Sequence, residues 1–360
     1  MNKEKILYIV PTLKKDGAEV QIANLISNFK NFEIDIFTCD FYKKGNSIEQ
    51  NLVDVNIYSK NGFFNIFEIN KLINTNNYKI VHSHLPKADF FVGLLKFIKK
   101  NFIHIISVHA QYGTRTNESK IKYSVFNIFW KFILNQSDGI IAISNKISSW
   151  LIEEHKINLD LITTVHYGVE LHDRDEKLSN NKTIGMAARM LPWKGWDRVI
   201  DTAVILKEQN VNFNLIFAGS DDINYKSTLI DLVNKKGIQD YVSFHDHYEM
   251  IDDFFSKIDL FLFLSDSEGF GLVVLEAIEN NTPVICSNIA PLSEFVDNTH
   301  GTLVDSKNFK EVANLVKKIL EDEDFKKEVQ KKQKEKIISE FSIDIASSNY
   351  ENYYIKLLND

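Results

Sequence analysis

The chain predicts an α/β fold of two Rossmann-like βα domains in tandem. Short apolar runs alternate with longer segments of helical periodicity along nearly the whole sequence, which is the pattern of parallel sheets with intervening helices. Its 360 residues correspond to about two domains of ordinary size. A polar stretch over 171–182 interrupts the alternation and indicates a linker. We therefore expect domains over 1–170 and 183–340, facing across a cleft, and a C-terminal helix over 341–360 that packs back on the first domain.

In the first domain, runs rich in isoleucine and valine predict strands, because β-branched side chains favour extended backbone. Between these runs, apolar residues recur at three- and four-residue spacing, which predicts helices. The predicted strands are 6–10, 33–38, 80–82, 103–108 and 139–143. The predicted helices are 18–28, 90–99, 120–134 and 146–154.

In the second domain the same alternation restarts after the polar stretch. The predicted strands are 183–187, 213–218, 241–244, 260–264, 283–286 and 302–304. The helices between them include 196–209, 224–236, 272–280 and 309–320. In such sheets, ligands usually bind beyond the carboxyl ends of the strands.

Composition and charge exclude several classes of protein. Hydrophobic residues make up 44 % and charged residues 25 %, which is ordinary for a globular chain and excludes intrinsic disorder. Two cysteines, Cys39 and Cys286, cannot form a disulfide framework and fit a reducing cytoplasm. The apolar start at 6–10 is too short for a signal-peptide core, and no apolar run approaches the ~20 residues of a membrane span. We therefore expect a cytoplasmic protein.

The net charge of −7 argues against nonspecific nucleic-acid binding. It is unevenly distributed, because residues 1–177 carry +3 and the remainder −10. The first half can therefore face an anionic partner.

The strongest chemical signal is the segment 265–277. It follows a buried strand, contains Gly269 and Gly271, and leads into a helix near Leu272. Backbone N–H groups and the helix dipole make such a start an anion site, and Glu268 and Glu276 bracket it. The alternative is an ordinary helix start with acidic residues around it. The segment is not a dinucleotide fingerprint, because valine replaces the required third glycine.

A second signal is the loop that follows the strand at 183–187. It carries Arg189 and Lys194, five residues apart. Arginine offers a planar fork to phosphate oxygens and lysine a point charge, although a solvated surface loop is the alternative. Both loops lie at the same edge of one predicted sheet, so together they predict a diphosphate site.

These residues resemble the retaining glycosyltransferases of family four, which share the GT-B architecture. The resemblance rests on Arg189, Lys194-Gly195 and the segment 268–276, whose terminal glutamates enclose seven residues. The segment 81–86 resembles the family's His-x-His-x-Pro motif, and 16–19 resembles its Gly-Gly-Ala-Glu loop with aspartate for one glycine. A second departure is Tyr167, where the family usually has asparagine.

The resemblance implies a nucleoside-diphosphate sugar as donor. Arg189 and Lys194 would hold its diphosphate and Glu276 its ribose, while Glu268 would lie against the donor sugar as a catalytic residue. Backbone N–H groups would reach the phosphate nearest the sugar; they belong to Phe270, Gly271 and Leu272. In the first domain, His109 would contact the sugar as a second catalytic residue, His84 would line the cleft, and Gly17 would contact donor or acceptor.

The resemblance also implies that no metal and no other cofactor is needed, since fixed cations stabilise the departing diphosphate. Two Asp-x-Asp strings, 173–175 and 322–324, lie in the linker and in an acidic helical stretch. The histidine pairs 82/84 and 245/247 lack a third ligand at recognisable spacing. We expect none of these to bind metal.

The expected function is retaining transfer of a sugar to a glycan or lipid-linked acceptor in surface-polysaccharide biosynthesis. Two alternatives stay open: a nucleotide-sugar epimerase of GT-B fold and a non-catalytic nucleotide-sugar-binding protein. Segments 89–100 and 120–132 mix large apolar residues with lysine. They are either core helices with solvated lysines or peripheral contacts to an anionic membrane. The lysines concerned are Lys96, Lys99, Lys100, Lys120, Lys122 and Lys131.

Overall fold

The computed structural model describes residues 3–14, 17–40, 52, 55–60, 65–112, 120–174, 181–246, 248 and 251–360. The chain packs as two units, one formed by residues 1–168 with 343–360 and the other by residues 169–342. Each described unit is built on one parallel sheet, with helices between most successive strands. This is the predicted α/β architecture of two Rossmann-like domains.

The sheet of the first unit has the strand order β3-β2-β1-β4-β5-β6-β7 in its described part. Its strands are β1 (Glu4–Val10), β2 (Phe32–Thr38), β3 (Ile57–Ser59), β4 (Ile80–His84), β5 (Ile103–Val108), β6 (Gly139–Ala142) and β7 (Ile162–Thr164). Its helices are α1 (Gly17–Ser27), α2 (Asn65–Asn76), α3 (Pro86–Ile98), α4 (Lys120–Gln136) and α5 (Asn145–Glu153).

The sheet of the second unit has the order β10-β9-β8-β11-β12-β13. Its strands are β8 (Thr183–Ala187), β9 (Asn214–Ala218), β10 (Val242–His245), β11 (Leu260–Phe263), β12 (Val284–Ser287) and β13 (Leu303–Val304). Its helices are α6 (Trp196–Glu208), α7 (Tyr225–Lys235), α8 (Ile251–Phe255), α9 (Leu272–Glu279), α10 (Leu292–Phe295), α11 (Phe309–Glu321) and α12 (Glu323–Glu340). The last helix, α13 (Ile343–Asn359), belongs to the first unit.

The helix α13 completes the core of the first unit. Its Tyr350 and Tyr354 are fully buried and pack with Ile6 and Tyr8 of β1 in one apolar cluster. Alternate residues of β1, such as Leu7, point into a second cluster on the opposite face of the sheet. Burial on both faces explains why residues 6–10 of β1 are all apolar and do not alternate.

In the described part of the first unit, two strands and one α-helix were not predicted. The strands β3 and β7 have three residues each, which is too short for periodicity to be recognised. The helix α2 is mostly polar and buries only a narrow stripe that includes Ile69 and Ile73. Its weak apolar pattern explains why it was missed.

The predicted linker over 171–182 is structured in its first part. Arg174 donates to the Glu279 carboxylate at 2.8 and 3.0 Å and to Asp252 at 3.0 Å. These bonds attach residues 171–174 to α8 and α9, within the second unit. Residues 175–180 lie outside the described part of the chain.

Strand order reverses once in each sheet, between β1 and β4 and between β8 and β11. The loops that follow such a pair of strands diverge to opposite faces, which leaves a crevice at the carboxyl edge where ligands bind. In the second unit these are the two loops predicted to hold a diphosphate, 188–195 and 264–271. In the first unit they begin at residue 11 and residue 85.

Candidate functional site

The two loops of the second unit are joined by hydrogen bonds. The carbonyl of Trp193 accepts from the backbone N–H of Asp266 at 2.8 Å and from the Ser265 hydroxyl at 3.2 Å. Arg198, from the first turn of α6, donates to the carbonyl of Leu264 at 3.0 Å and to the Asp266 carboxylate. Each loop is therefore held in place by the other.

Gly195 makes this approach possible. It has φ +84° and ψ 23°, in the left-handed region where glycine is strongly favoured. A Cβ atom at this position would lie 2.0 Å from the carbonyl oxygen of Leu264. The Lys194-Gly195 pair thus places a lysine directly beside a glycine over which the second loop passes.

Lys194 and Glu268 form an ion pair between the loops. The ammonium lies 2.8 Å from both carboxylate oxygens, and the side chains are only 15 % and 7 % exposed. The Lys194 ammonium also lies 5.8 Å from the centre of the Phe263 ring. Lys194 was predicted to hold the donor diphosphate and Glu268 to contact the donor sugar, and the two side chains contact each other directly.

The start of α9 follows this pair. Gly271 has φ +96° and ψ 43°, and no side chain caps the helix. A Cβ atom on Gly271 would lie 2.5 Å from Leu292, so α10 packs directly against the turn. Phe270 is buried and stacks on Phe295 with ring centres 5.1 Å apart. The backbone turn is therefore rigidly supported, with the positive end of the helix dipole beside Glu268.

Glu276 lies one turn inside α9. Burial, with added repulsion from Asp252 and Glu279, raises its pKa to about 7. The Glu279 carboxylate accepts hydrogen bonds from the Arg174 guanidinium and from the backbone N–H of His172, the latter at 2.9 Å. No hydrogen bond to the Glu276 carboxyl is found among the described residues. The Arg174, Asp252 and Glu279 cluster was not predicted, because its members are distant in sequence and match no motif.

Arg189 follows β8, and its side chain is exposed. Its carbonyl accepts from the Trp196 indole N–H at 3.4 Å. Within the part of the chain that the structure describes, its guanidinium pairs with no carboxylate. The two predicted cations thus differ, since Lys194 is held by Glu268 and Arg189 extends into solvent.

In the first unit, His84 and His109 lie on adjacent strand ends and contact each other. The distance from His84 Nδ1 to His109 Nε2 is 3.1 Å, and His109 Nδ1 is bonded to the Tyr167 hydroxyl. Burial lowers the pKa of His109 to about 3 and holds that of His84 well below its usual value. Both rings are therefore neutral at pH 7. His84 is fully buried, and His109 is 7 % exposed.

Tyr167 is the residue that replaces the family's usual asparagine. It is buried, and its hydroxyl fixes one nitrogen of His109 while His84 fixes the other. The tyrosine that replaces the family's usual asparagine at position 167 therefore contacts His109, which was predicted to be catalytic. The sequence alone could not reveal this contact, because 58 residues separate the two.

Gly17 is the first residue of α1 and is exposed. A Cβ atom there would meet nothing within 4 Å, so packing alone does not require glycine. The neighbouring Glu19 is buried and accepts from the Thr12 hydroxyl at 3.2 Å. Asp16 lies outside the described residues.

The strings considered as metal motifs have other roles where they are described. Asp322 caps α12 by accepting from the N–H of Phe325 at 3.0 Å. His82 is bonded to Tyr354 and Ser107, at 2.8 Å each. Asp175 and His247 lie outside the described residues. In the described ranges, no three His, Cys, Asp or Glu side chains converge as a metal site.

None of the described helices is both long enough and apolar enough to span a membrane.

Both halves of the chain match families of known proteins. Residues 15–173 match the family described as Glycosyltransferase Family 4. Residues 170–336 match the family described as Glycosyl transferases group 1. The two matches together run through both structural units.

Individual relatives agree with this. The chain is 28 % identical over 314 residues to the O-antigen biosynthesis glycosyltransferase WclY of Escherichia coli, covering 81 % of this chain and 82 % of that one. It is 25 % identical to the capsular polysaccharide biosynthesis glycosyltransferase CapM of Staphylococcus aureus, covering 78 % and 77 %. In fold it resembles Anabaena HepE, solved in complex with UDP and glucose, with a TM-score of 0.82, 16 % identity and coverage of 98 % and 100 %. The chain is therefore a glycosyltransferase of the GT-B fold that joins a Glycosyltransferase Family 4 domain to a Glycosyl transferases group 1 domain.

Proposed function

We propose that this glycosyltransferase takes a sugar from a nucleoside-diphosphate donor and transfers it with retention of configuration. The observation that carries the proposal is the paired loop structure at the strand reversal of the second unit. It brings Lys194, Glu268 and the uncapped start of α9 together at one sheet edge. The HepE structure contains UDP and glucose, which supports a nucleotide sugar as the donor class here.

In this proposal the diphosphate lies against Arg189, Lys194 and the start of α9. Phosphate oxygens gain negative charge as the bond to the sugar breaks, so fixed cations and N–H donors stabilise the transition state more than the ground state. Lys194 is already held by Glu268 and needs no large rearrangement to act. The N–H donors are those of Phe270, Gly271 and Leu272.

We assign the remaining predicted residues to the sugar and the ribose. The Glu276 carboxylate, when ionised, accepts hydrogen bonds from ribose hydroxyls. Glu268 contacts the donor sugar through the oxygens that Lys194 orients. We assign His109, as a neutral ring, to the donor sugar; both of its nitrogens are bonded within the chain, so a sugar hydroxyl must replace His84 or Tyr167 as the partner of one of them. Gly17 provides a backbone surface for donor or acceptor.

The acceptor is a glycan or a lipid-linked glycan of surface-polysaccharide biosynthesis. The relatives WclY and CapM are named for O-antigen biosynthesis and capsular polysaccharide biosynthesis, which supports this class of acceptor. We place the enzyme in the cytoplasm, peripheral to the membrane, because Cys39 and Cys286 are both free and buried and free thiols persist in a reducing compartment.

The proposal predicts transfer without metal and with retention. Cations of the chain itself neutralise the diphosphate in this proposal. We therefore expect the activity in excess EDTA, at about 5 mM, to stay within about twofold of that of the untreated enzyme. Nucleoside-diphosphate release from a panel of nucleotide sugars measures the activity. Proton NMR of the first product formed, before mutarotation or further reaction, reports its anomeric configuration. Strict dependence on Mn²⁺ or Mg²⁺, or an inverted product, would contradict the proposal.

Donor affinity should rise with pH around neutrality. Glu276 has a raised pKa of about 7, so its carboxyl is mostly protonated at pH 6 and mostly ionised at pH 8. We expect the Kd of the intact nucleotide sugar to fall by up to about tenfold over this interval, following the ionised fraction. The measurement uses the intact nucleotide sugar and not the free nucleoside diphosphate, because the terminal phosphate of the free diphosphate itself titrates near pH 6.

The variant Glu276→Gln provides the control for this pH dependence. It keeps the shape of the side chain and removes its titration, so it should bind weakly with a Kd that no longer changes between pH 6 and 8. A pH slope that is identical in the wild type and in Glu276→Gln would assign the titration to another group and remove Glu276 from the ribose site.

A further inference from the structure

Two neighbouring helices of the first unit expose large apolar side chains. On each helix they recur three and four residues apart, so they form one stripe along a single face. The exposed residues are Leu94, Phe97 and Ile98 of α3 and Val125, Ile128, Phe129 and Phe132 of α4. We call this surface the α3–α4 face.

The two stripes form one continuous surface. The rings of Phe97 and Phe132 lie 5.8 Å apart, across the contact between the helices. Phe97 is 62 % exposed, Ile98 77 % and Ile128 67 %. A contiguous exposed apolar surface of this kind marks an interaction site, whereas scattered single residues do not.

The same helices also have ordinary buried faces. Val92 and Leu95 of α3 and Trp130 and Leu134 of α4 are buried in the first unit. Packing against the sheet therefore explains one apolar stripe on each helix and leaves the other unexplained. The core-helix alternative considered from the sequence therefore accounts for the buried faces, and the peripheral-contact alternative concerns the exposed ones.

The charge at the margins of the α3–α4 face is positive. The sequence of α4 contains no acidic residue, and the one acidic residue of α3, Asp89, is buried and bonded to Ser83 and Trp130. Lys99, Lys100 and Lys131 pair with no carboxylate among the described residues. Basic residues beside an inserted apolar surface complement anionic lipid headgroups.

Lys96 does not belong to this group, which corrects an expectation from the sequence. Its ammonium lies 2.6 Å from the Asp138 carboxylate and 2.6 Å from the carbonyl of Phe102, and the side chain is only 11 % exposed. It joins α3 to the strand and helix beside it. The side chains of Lys120 and Lys122 lie outside the described part of the chain.

We infer that the α3–α4 face docks on an anionic lipid bilayer, with its apolar stripe inserted at the headgroup boundary and Lys99, Lys100 and Lys131 near lipid phosphates. A second copy of the chain fits less well, because a two-fold interface would join two copies of the same face, and neither helix offers an exposed acidic residue to meet the lysines. The inference extends the proposed function by placing transfer to a lipid-linked acceptor at a surface. Docking is measured without donor or acceptor, so it stands or fails independently of catalysis.

The test is sedimentation of the full chain with vesicles of neutral phosphatidylcholine, with and without 30 % phosphatidylglycerol. We expect at least tenfold stronger partition to the anionic vesicles, reduced several-fold by 0.5 M salt. The combined variant Phe97→Ser, Ile98→Ser and Phe129→Ser should lose binding at least tenfold. The variant Lys99→Ser with Lys100→Ser should lose its preference for anionic lipid.

Matched controls lie on α12 of the second unit. Ile338→Ser removes a comparably exposed apolar side chain, and Lys327→Ser with Lys331→Ser removes two exposed lysines; both should bind vesicles like the wild type. UDP binding by calorimetry should be unchanged in every variant, which separates a failure of docking from a failure of the donor site. Equal partition to neutral and anionic vesicles would overturn the inference. The inference would also be overturned if the combined variant of Phe97, Ile98 and Phe129 lost dimerisation but still bound vesicles like the wild type.

Discussion

Lys194→Met is expected to lower kcat/KM for the donor by about 10²–10³-fold. Removal of one donor that stabilises a developing oxyanion costs about this much in other enzymes. Here the loss has a second part, because Glu268 is only 7 % exposed and would lose the ammonium that lies 2.8 Å from both of its oxygens. Removing one partner of a buried ion pair destabilises the fold, by up to about 3–5 kcal/mol. Steady-state kinetics and thermal unfolding measure the two parts separately.

The double variant Lys194→Met with Glu268→Gln distinguishes the two contributions. Neutralising both partners should restore most of the unfolding temperature while activity stays low. The exposed Lys235→Met on α7 is a control for loss of a lysine in general. Recovery of activity in the double variant would mean that Lys194 serves only to neutralise Glu268 and does not contact the donor.

Arg189→Met offers the contrasting case. Its side chain is exposed, so the unfolding temperature should stay near that of the wild type while UDP binding weakens. A lost charge-assisted hydrogen bond corresponds to about 1.5–3 kcal/mol, or roughly ten- to a hundredfold in Kd. Unchanged UDP affinity in both Arg189→Met and Lys194→Met would remove the diphosphate from this edge of the sheet.

Gly195→Ala is expected to destabilise the second unit by at least about 3 kcal/mol and to abolish measurable donor binding. The left-handed backbone alone costs an alanine about 1–2 kcal/mol. In addition, its Cβ would lie 2.0 Å from the carbonyl oxygen of Leu264, so the loops at 193–195 and 264–266 must separate. Their separation would move Lys194 away from Glu268. Chemical denaturation and UDP calorimetry measure the two effects.

Gly301→Ala is the matched control for backbone strain. Gly301 lies in the same unit with φ +70°, but a Cβ atom there would meet nothing within 4 Å. It should therefore show only the backbone cost, about 1–2 kcal/mol, with donor binding intact. Equal losses of stability in the two variants would mean that contact between the loops contributes nothing at Gly195.

The fold class was predictable because its signals are local. Many of the strands are rich in apolar residues, and the predicted segments 183–187 and 103–108 coincide with observed strands. Membership of the glycosyltransferases followed from two loops whose residues are nearly contiguous. The sequence-based reading was confirmed at this level by the family matches.

Contacts between distant residues were not predictable in the same way. The bond from Tyr167 to His109 and the saturation of Glu279 by Arg174 join parts of the chain 58 and 105 residues apart. Periodicity carries no information about such pairs, which depend on how strands are ordered in the sheet. The roles of individual residues in donor binding stay predictions until the variants above are measured.

The return of α13 to the first unit has a consequence for biosynthesis. Tyr350 and Tyr354 fill the interior against β1, yet the ribosome makes them only after all of 169–342. The second unit is one uninterrupted stretch of chain and needs no residue from outside 169–342 to complete its sheet. The first unit, although it leaves the ribosome earlier, must wait with an open apolar face until the last helix emerges, and during that interval it is the part of the nascent chain most exposed to chaperones and proteases.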